Sequence, residues 1–419
     1  MRGRALNRIC PLERVNADDA GVGRATLYQR LMVLLQTTMP SPLPREILDF
    51  IVDDLHNQPT TLRACSVVSK SWIPRTRMHL FARVKFNTNT STIDSWMKAF
   101  PNPLNSPAHY TGSLTVIGLR LVTAAGSDAG RWIRAFRNVV HLHVGTCDPG
   151  DDKASLVPFH GLSPTIRSLR LEFTRGQPSE ISALMCSFPL LEDFALLVFD
   201  SGNEIDGYIN PPTSPKLTGT LELRSTVGGI GHITRRLLDL PNGLNFTKIV
   251  LVFTNGADPE PATDLVSRCS GTLEFFDVTG YSSGVFPSVT VLDRDLTLHL
   301  GPYTATLNLS KAIKLKHIVF RCPRAQVEWI TTALQTVKSK GLQQITLQPD
   351  ADVFVRGITV VVRRLWLDLD HSLAQFWASH SIRPRVMCRV GTSRRDMRDF
   401  TPILLPELTK TRLIDLVEH

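Results

Sequence analysis

The chain has 419 residues, 42% hydrophobic and 20% charged, which is the composition of an ordinary globular protein and not of a disordered or low-complexity one. No run of eighteen apolar residues occurs, so no membrane span is expected. The net charge of +9 is dispersed: Arg394, Arg395 and Arg398 come nearest to a basic block, and Asp396 and Asp399 dilute it, so no specific nucleic-acid role is expected.

Seven cysteines, at positions 10, 65, 147, 186, 269, 322 and 388, are scattered and form no CxxC pair. That pattern fits reduced thiols in a cytoplasmic or nuclear protein. The length allows one large domain or a small and a large one. Residues 1–39 carry Arg2, Arg4, Arg8 and Arg14, as a transit peptide would, but also Glu13, Asp18 and Asp19. The expectation is a poorly ordered or loosely packed extension, with a short amphipathic helix possible through Leu27, Leu31, Leu34 and Leu35.

Residues 41–86 read as three short helices. Ser41 is a candidate cap, and Pro44 suits a first helical turn. Ile47, Leu48, Ile51, Val52 and Leu55 then recur at helical spacing. Asn57-Gln58-Pro59 breaks that helix, and Thr60 or Thr61 can cap the next. Leu62, Cys65, Val68 and Trp72 continue the pattern, and Pro74 suits the start of a third helix ending at Leu80-Phe81. So short a segment, under about 50 residues, does not bury a self-sufficient core, so part of its apolar surface should face something else.

This stretch resembles the F-box. Leu43-Pro44, the Ile47/Ile51/Leu55 stripe, Leu62-Arg63-Ala64-Cys65, the run Val67-Val68-Ser69-Lys70-Ser71-Trp72 and His79-Leu80-Phe81 carry the resemblance. The resemblance implies binding to a Skp-type adaptor and, through it, to a cullin-RING ubiquitin ligase. By position, Leu43, Pro44, Ile47, Ile51, Leu62, Cys65, Val68 and Trp72 would form or support that adaptor contact. The expected organisation is an extension over 1–39, the F-box over 40–86, a linker over 87–110, a repeat domain over 111–370 and a C-terminal cap over 371–419.

Beyond the linker, with its short helix Ile93–Phe100 and loop prolines Pro101, Pro103 and Pro107, one pattern recurs: apolar, two spacers, apolar, one spacer, apolar. Its central residues stand at 114, 142, 169, 194, 221, 249, 276, 296, 318, 345 and 365, mostly 25 to 28 residues apart and in three steps only 20 to 22. That period lies in the leucine-rich-repeat range of about 20–29 residues. Helical segments fall between several of the strands: Asp128–Phe136, Ser179–Phe188, Ile233–Leu240, Ala262–Cys269 and Ala325–Lys338. The repeat asparagine is mostly missing, so the repeats are degenerate. A doubly wound sheet is the alternative to an α/β solenoid.

In a solenoid the paired apolar residues of each strand point inward and the residues between them line the other face. That face would carry His141, His143, Arg170, Glu172, Glu222, Arg224, Lys248, Asp277, His299, Arg321, Gln348, Trp366 and Asp368. A mixture of both charge signs with histidine and an aromatic suits a protein target. Pro406–Glu418 reads as an amphipathic helix capping the last core layer.

The catalytic motifs are weak. Gly280-Tyr281-Ser282-Ser283-Gly284 matches a nucleophile elbow, but Val285-Phe286-Pro287 does not begin a helix. Gly228-Gly229-Ile230-Gly231 lacks dinucleotide or phosphate-loop spacing. His141 and His143 share a strand face, with Cys147 and Asp148 nearby, without completing a metal set. No cofactor, metal or catalytic residue is expected. The resemblance implies the substrate-recognition subunit of an SCF-type ligase, presenting an unknown protein target. An F-box adaptor acting outside the cullin ligase and a hydrolase-like enzyme with an accidental match are the alternatives.

Overall fold

The computed structural model describes residues 44–87, 92–118, 132–145, 156–162, 164–172, 175–176, 178–201, 214–227, 231–252, 260–279, 307–322, 327–349, 360–380, 385–388, 402–410 and 415–418. The extension over 1–39, Ser41, Leu43, the elbow-like Gly280–Gly284 and the strand expected at 293–298 with His299 lie outside them. The chain divides into two units, Met1–Ile166 and Arg167–His419. Among the described residues no helix is long and apolar enough to cross a membrane.

In the first unit, helices α1 (Arg45–Asp54), α2 (Pro59–Val68) and α3 (Ile73–Leu80) follow one another. Pro44 precedes α1 as its N-cap and Pro59 occupies the first turn of α2. Thr61 does not cap α2; its hydroxyl donates to the Gln58 side chain at 3.2 Å. Ser69 is extended, which ends α2, and its Oγ accepts from the Ser71 amide at 3.3 Å to start the single turn that leads into α3. Val52, Leu55, Leu62, Cys65 and Trp72 form the core, with Leu48 and Leu80 packed on it. Each such apolar side chain contributes about 1.5–3 kcal/mol. Asp53 ties α1 to α3: Arg75 donates to both carboxylate oxygens, with Nε at 2.6 Å, and the His79 ring lies 2.7 Å from Oδ1.

The segment expected to be a linker is packed structure. Helix α4 (Thr92–Ala99) and two tight turns at 103–105 and 107–110 follow strand β1 (Arg83–Asn87). Trp96 sits edge-on to Phe81 (5.6 Å) and Phe86 (5.7 Å) and lies 5.6 Å from Phe136. These rings join the end of α3 to the first strands, where apolar area and edge-to-face geometry both stabilise. β1 pairs in parallel with β2 (Ser113–Ile117), and β2 with β3 (His141–Gly145), aligning Val84 with Leu114 and Leu114 with Leu142.

The second unit holds β4 (Ser168–Glu172), β5 (Asp193–Ser201), β6 (Thr220–Val227), β7 (Lys248–Val252), β8 (Phe275–Thr279), β9 (His317–Cys322), β10 (Gln344–Pro349), β11 (Arg385–Cys388) and β12 (Asp415–Glu418). These strands pair in parallel, each with the next in the chain. A doubly wound sheet would reverse its order at a switch point; this one does not, so the architecture is a leucine-rich-repeat-like α/β solenoid. Leu169, Phe194, Leu221, Ile249, Phe276, Ile318 and Ile345 stand in one register and are all buried. Helices α5 (Pro178–Cys186), α6 (Gly231–Leu238), α7 (Glu260–Arg268) and α8 (Glu328–Thr336) each lie between consecutive strands.

One backbone device repeats at the strand starts. The Thr247 carbonyl accepts from the amides of Glu274 and Phe275, that of Glu274 from Lys316 and His317, and that of Lys316 from Gln343 and Gln344. The same arrangement links Arg167 to Glu192 and Asp193. Each repeat thus satisfies polar backbone groups of the next while the apolar face is buried by stacking.

Three expectations are corrected. The pattern at 362–367 is not a strand: helix α9 (Val360–His380) contains it, and Trp366 is 1% exposed inside that helix. Trp366, Leu369, Leu373 and Phe376 are buried along α9 at steps of three and four, a helical stripe that six residues alone do not reveal. The boundary expected at 370/371 therefore falls within a helix, and the residues beyond it extend the sheet as β11 and β12. Pro406–Glu418 is not one capping helix, since α10 (Pro406–Lys410) gives way to β12. Asp370 lies under α10 and accepts from the amides of Glu407 (2.6 Å) and Leu408 (3.1 Å).

Candidate functional site

In the first unit, the residues assigned to adaptor contact separate by burial. Leu62, Cys65 and Trp72 are core residues at 6% exposure or less, so they hold the helices together. Pro44, Ile47 and Val68 are exposed, and Ile51 is partly buried. Ile47 at 48% and Phe50 at 72% are one helical turn apart on α1, and Val67 at 74% and Val68 at 49% end α2. Phe50 and Val67 were not among the residues assigned to adaptor contact from the sequence. Both lie off the apolar stripe, and a large apolar residue on the polar side of an amphipathic helix was the available signal. Exposed apolar groups of this size on a small helical unit have a physical use in docking.

The second surface is the face of the strands opposite the buried ladder. His141 is exposed and His143 partly buried on β3, in the first unit. In the second unit one row of outward residues runs Arg170, Ala195, Glu222, Val250, Asp277, Val319 and Thr346, in register. The next row runs Glu172, Leu197, Arg224, Val252, Thr279, Arg321 and Gln348. Trp366 and Asp368 belong to α9 and leave this face, while Lys248 is on it, one strand along from Thr220.

Asp277 is buried, which corrects its expected place on the open wall. Arg321 donates to both of its carboxylate oxygens, Nε at 2.8 Å and Nη2 at 2.6 Å. Two-pronged contact of this kind is among the stronger polar interactions, and the Asp277 hydrogen bond pushes the Arg321 guanidinium further up. Glu222 is reached from both sides, by Arg224 at 2.6 Å and by Arg170 at 3.9 Å across the small side chain of Ala195. Lys248 lies 4.8 Å from the centre of the Phe275 ring, which in turn lies 6.2 Å from His317. Phe275 was missed in the sequence although LEFFDV contains two adjacent phenylalanines, of which strand alternation buries only one.

This arrangement is a sheet face built of fixed polar pairs on an apolar, helix-backed layer. It can bind and orient another macromolecule; among the described residues nothing on it places a nucleophile beside a base. No protein-family model matches the chain, and no curated protein matches its sequence. Among solved structures, the chain is similar to the leucine-rich repeat-containing protein LegL7 from Legionella pneumophila, over 78% of this chain and 97% of that one, at 8% identity with a TM-score of 0.35. The assignment of the fold comes from the strand order and register described above.

Proposed function

We propose that this protein is a non-catalytic substrate receptor of an SCF-type ubiquitin ligase, acting in the cytoplasm or nucleus. The three-helix unit would hold a Skp-type adaptor and, through it, a cullin; the repeat sheet would hold a protein target. The observation that carries this reading is the outward placement of Ile47, Phe50, Val67 and Val68 on a three-helix unit whose sequence resembles the F-box. The work done would be positional: holding a target lysine near a charged conjugating enzyme raises its effective concentration without bond chemistry by this chain.

The test is co-purification of the full chain with the Skp-type adaptor and cullin, beside a variant carrying Ile47→Asp and Phe50→Asp. Both residues are exposed, so the variant keeps its fold. Capture of both partners, lost in the variant, supports the ligase reading. Capture of the adaptor without the cullin points to an adaptor working outside the ligase. Capture of neither by the folded chain removes the reading.

A further inference from the structure

The charges on the outward face of the second unit are sorted by depth. Among the described outward positions of β4 to β10, the exposed ones are Arg170, Arg224 and Lys248, and all three are cations. The carboxylates of that face, Glu172, Asp193, Glu222 and Asp277, are partly or wholly buried. Their side chains act from beneath: Glu222 is 18% exposed and Asp277 7%, while Arg170 and Arg224 are 45% and 47% exposed. Asp193 turns its Oδ1 to the Thr220 amide at 2.6 Å. Although acids and bases are nearly equal in number, what meets solvent is a cationic layer whose arginines are positioned by submerged carboxylates.

We infer that this face binds an extended acidic segment of a protein partner, through carboxylates spaced along the segment. Charge complementarity argues for an anion. The charged ends of Arg170 and Arg224 converge on the Glu222 carboxylate, and Lys248 stands one strand and two residues from Glu222, about 8 Å. An extended peptide sets alternate residues about 7 Å apart on one side, so acids at that interval match the arginine pair and Lys248. The Phe275 ring beside Lys248 adds an apolar contact at one end. This inference rests on the repeat sheet being the partner-binding part of the chain, and it is independent of adaptor capture.

The test is selection from a displayed library of random dodecapeptides by the full-length protein at about 150 mM salt, where distant exposed charges are screened. The expected pool is enriched in Asp and Glu over the input. In the Arg170→Gln/Arg224→Gln variant, retention of the selected peptides should fall on the order of tenfold, the effect of losing two exposed ion contacts. Lys248→Gln, which leaves every carboxylate pair of the face intact, should lower it by a smaller factor and keeps the test valid if the double variant unfolds. A pool without acidic enrichment, an empty pool, or enrichment untouched by these substitutions overturns the inference. So does tighter retention of a matched library with a fixed central phosphoserine, or tighter binding of single-stranded DNA than of the selected peptides. Adaptor co-purification reads the other unit, so loss of either result leaves the other standing.

Discussion

Removing Arg321 should cost more stability than removing its partner. Arg321→Ala takes away both nitrogens that hold Asp277 and leaves a carboxylate whose side chain is only 7% exposed. Breaking a buried pair in this way costs about 3–5 kcal/mol. Asp277→Ala instead strands a guanidinium that is 29% exposed and has Glu222 within electrostatic reach, so water and a second carboxylate offset part of the loss. Its cost should be about 1.5–3 kcal/mol, that of a hydrogen bond to a charged group. For a unit of this length about 1 kcal/mol shifts Tm by roughly 2–4 °C, so the two variants should separate clearly in thermal unfolding. Hydrogen exchange of the Phe275–Thr279 amides would place the effect on β8. The double variant should cost less than Arg321→Ala alone, because no charge is then left unpaired. Equal single costs, a larger cost for Asp277→Ala, or simple additivity would refute the argument.

Three other outcomes follow from the same structure. Leu62→Ala, at a core position 1% exposed, should cost about 2–5 kcal/mol, whereas Phe50→Ala, 72% exposed, should change stability by less than about 0.5 kcal/mol; denaturant unfolding of the full chain tells them apart. The Asp53 carboxyl is held down to about 2, first by its hydrogen bond from Arg75 and further by His79, against an ordinary value of 3.8. Its contribution is thus present above about pH 4 and lost as pH falls toward about 2, and Asp53→Asn should flatten the acid dependence of exchange at Arg45–Leu80. At Gly219, a Cβ would meet the Asp193 Oδ1 at 2.2 Å. Gly219→Ala should displace that carboxylate from the Thr220 amide and cost about 1–3 kcal/mol, and an unchanged Tm would show that the site has room.

How much could be read in advance depended on the range of the interaction. The central residues of the recurring short pattern are a case in point: Leu114, Leu142, Leu169, Phe194, Leu221, Ile249, Phe276, Ile318 and Ile345, picked from spacing alone, are the residues that line up within each unit's sheet. Alternation along a strand and a near-constant repeat are local properties, and burial of one face makes register unforgiving. The helices at 178–186, 231–238, 260–268 and 328–336 were legible for the same reason. Trp366 was not, because six residues satisfy a strand and a helix equally, and only packing of a 21-residue stripe against its neighbours decides.

Sequence by itself determined the solenoid period, its register and the helical character of 45–80, since each follows from which side chains avoid water at fixed local intervals. Tertiary structure alone decided which of those apolar residues stay outside. Ile47 and Leu62 look alike in the chain, yet one is 48% and the other 1% exposed, because helix packing and not hydrophobicity selects the buried face. It also decided that Asp277 lies beneath Arg321, 44 residues away in sequence, and that the cations of the sheet stand above its acids. Depth and pairing between distant strands depend on how the repeats stack, and no interval within one repeat encodes them.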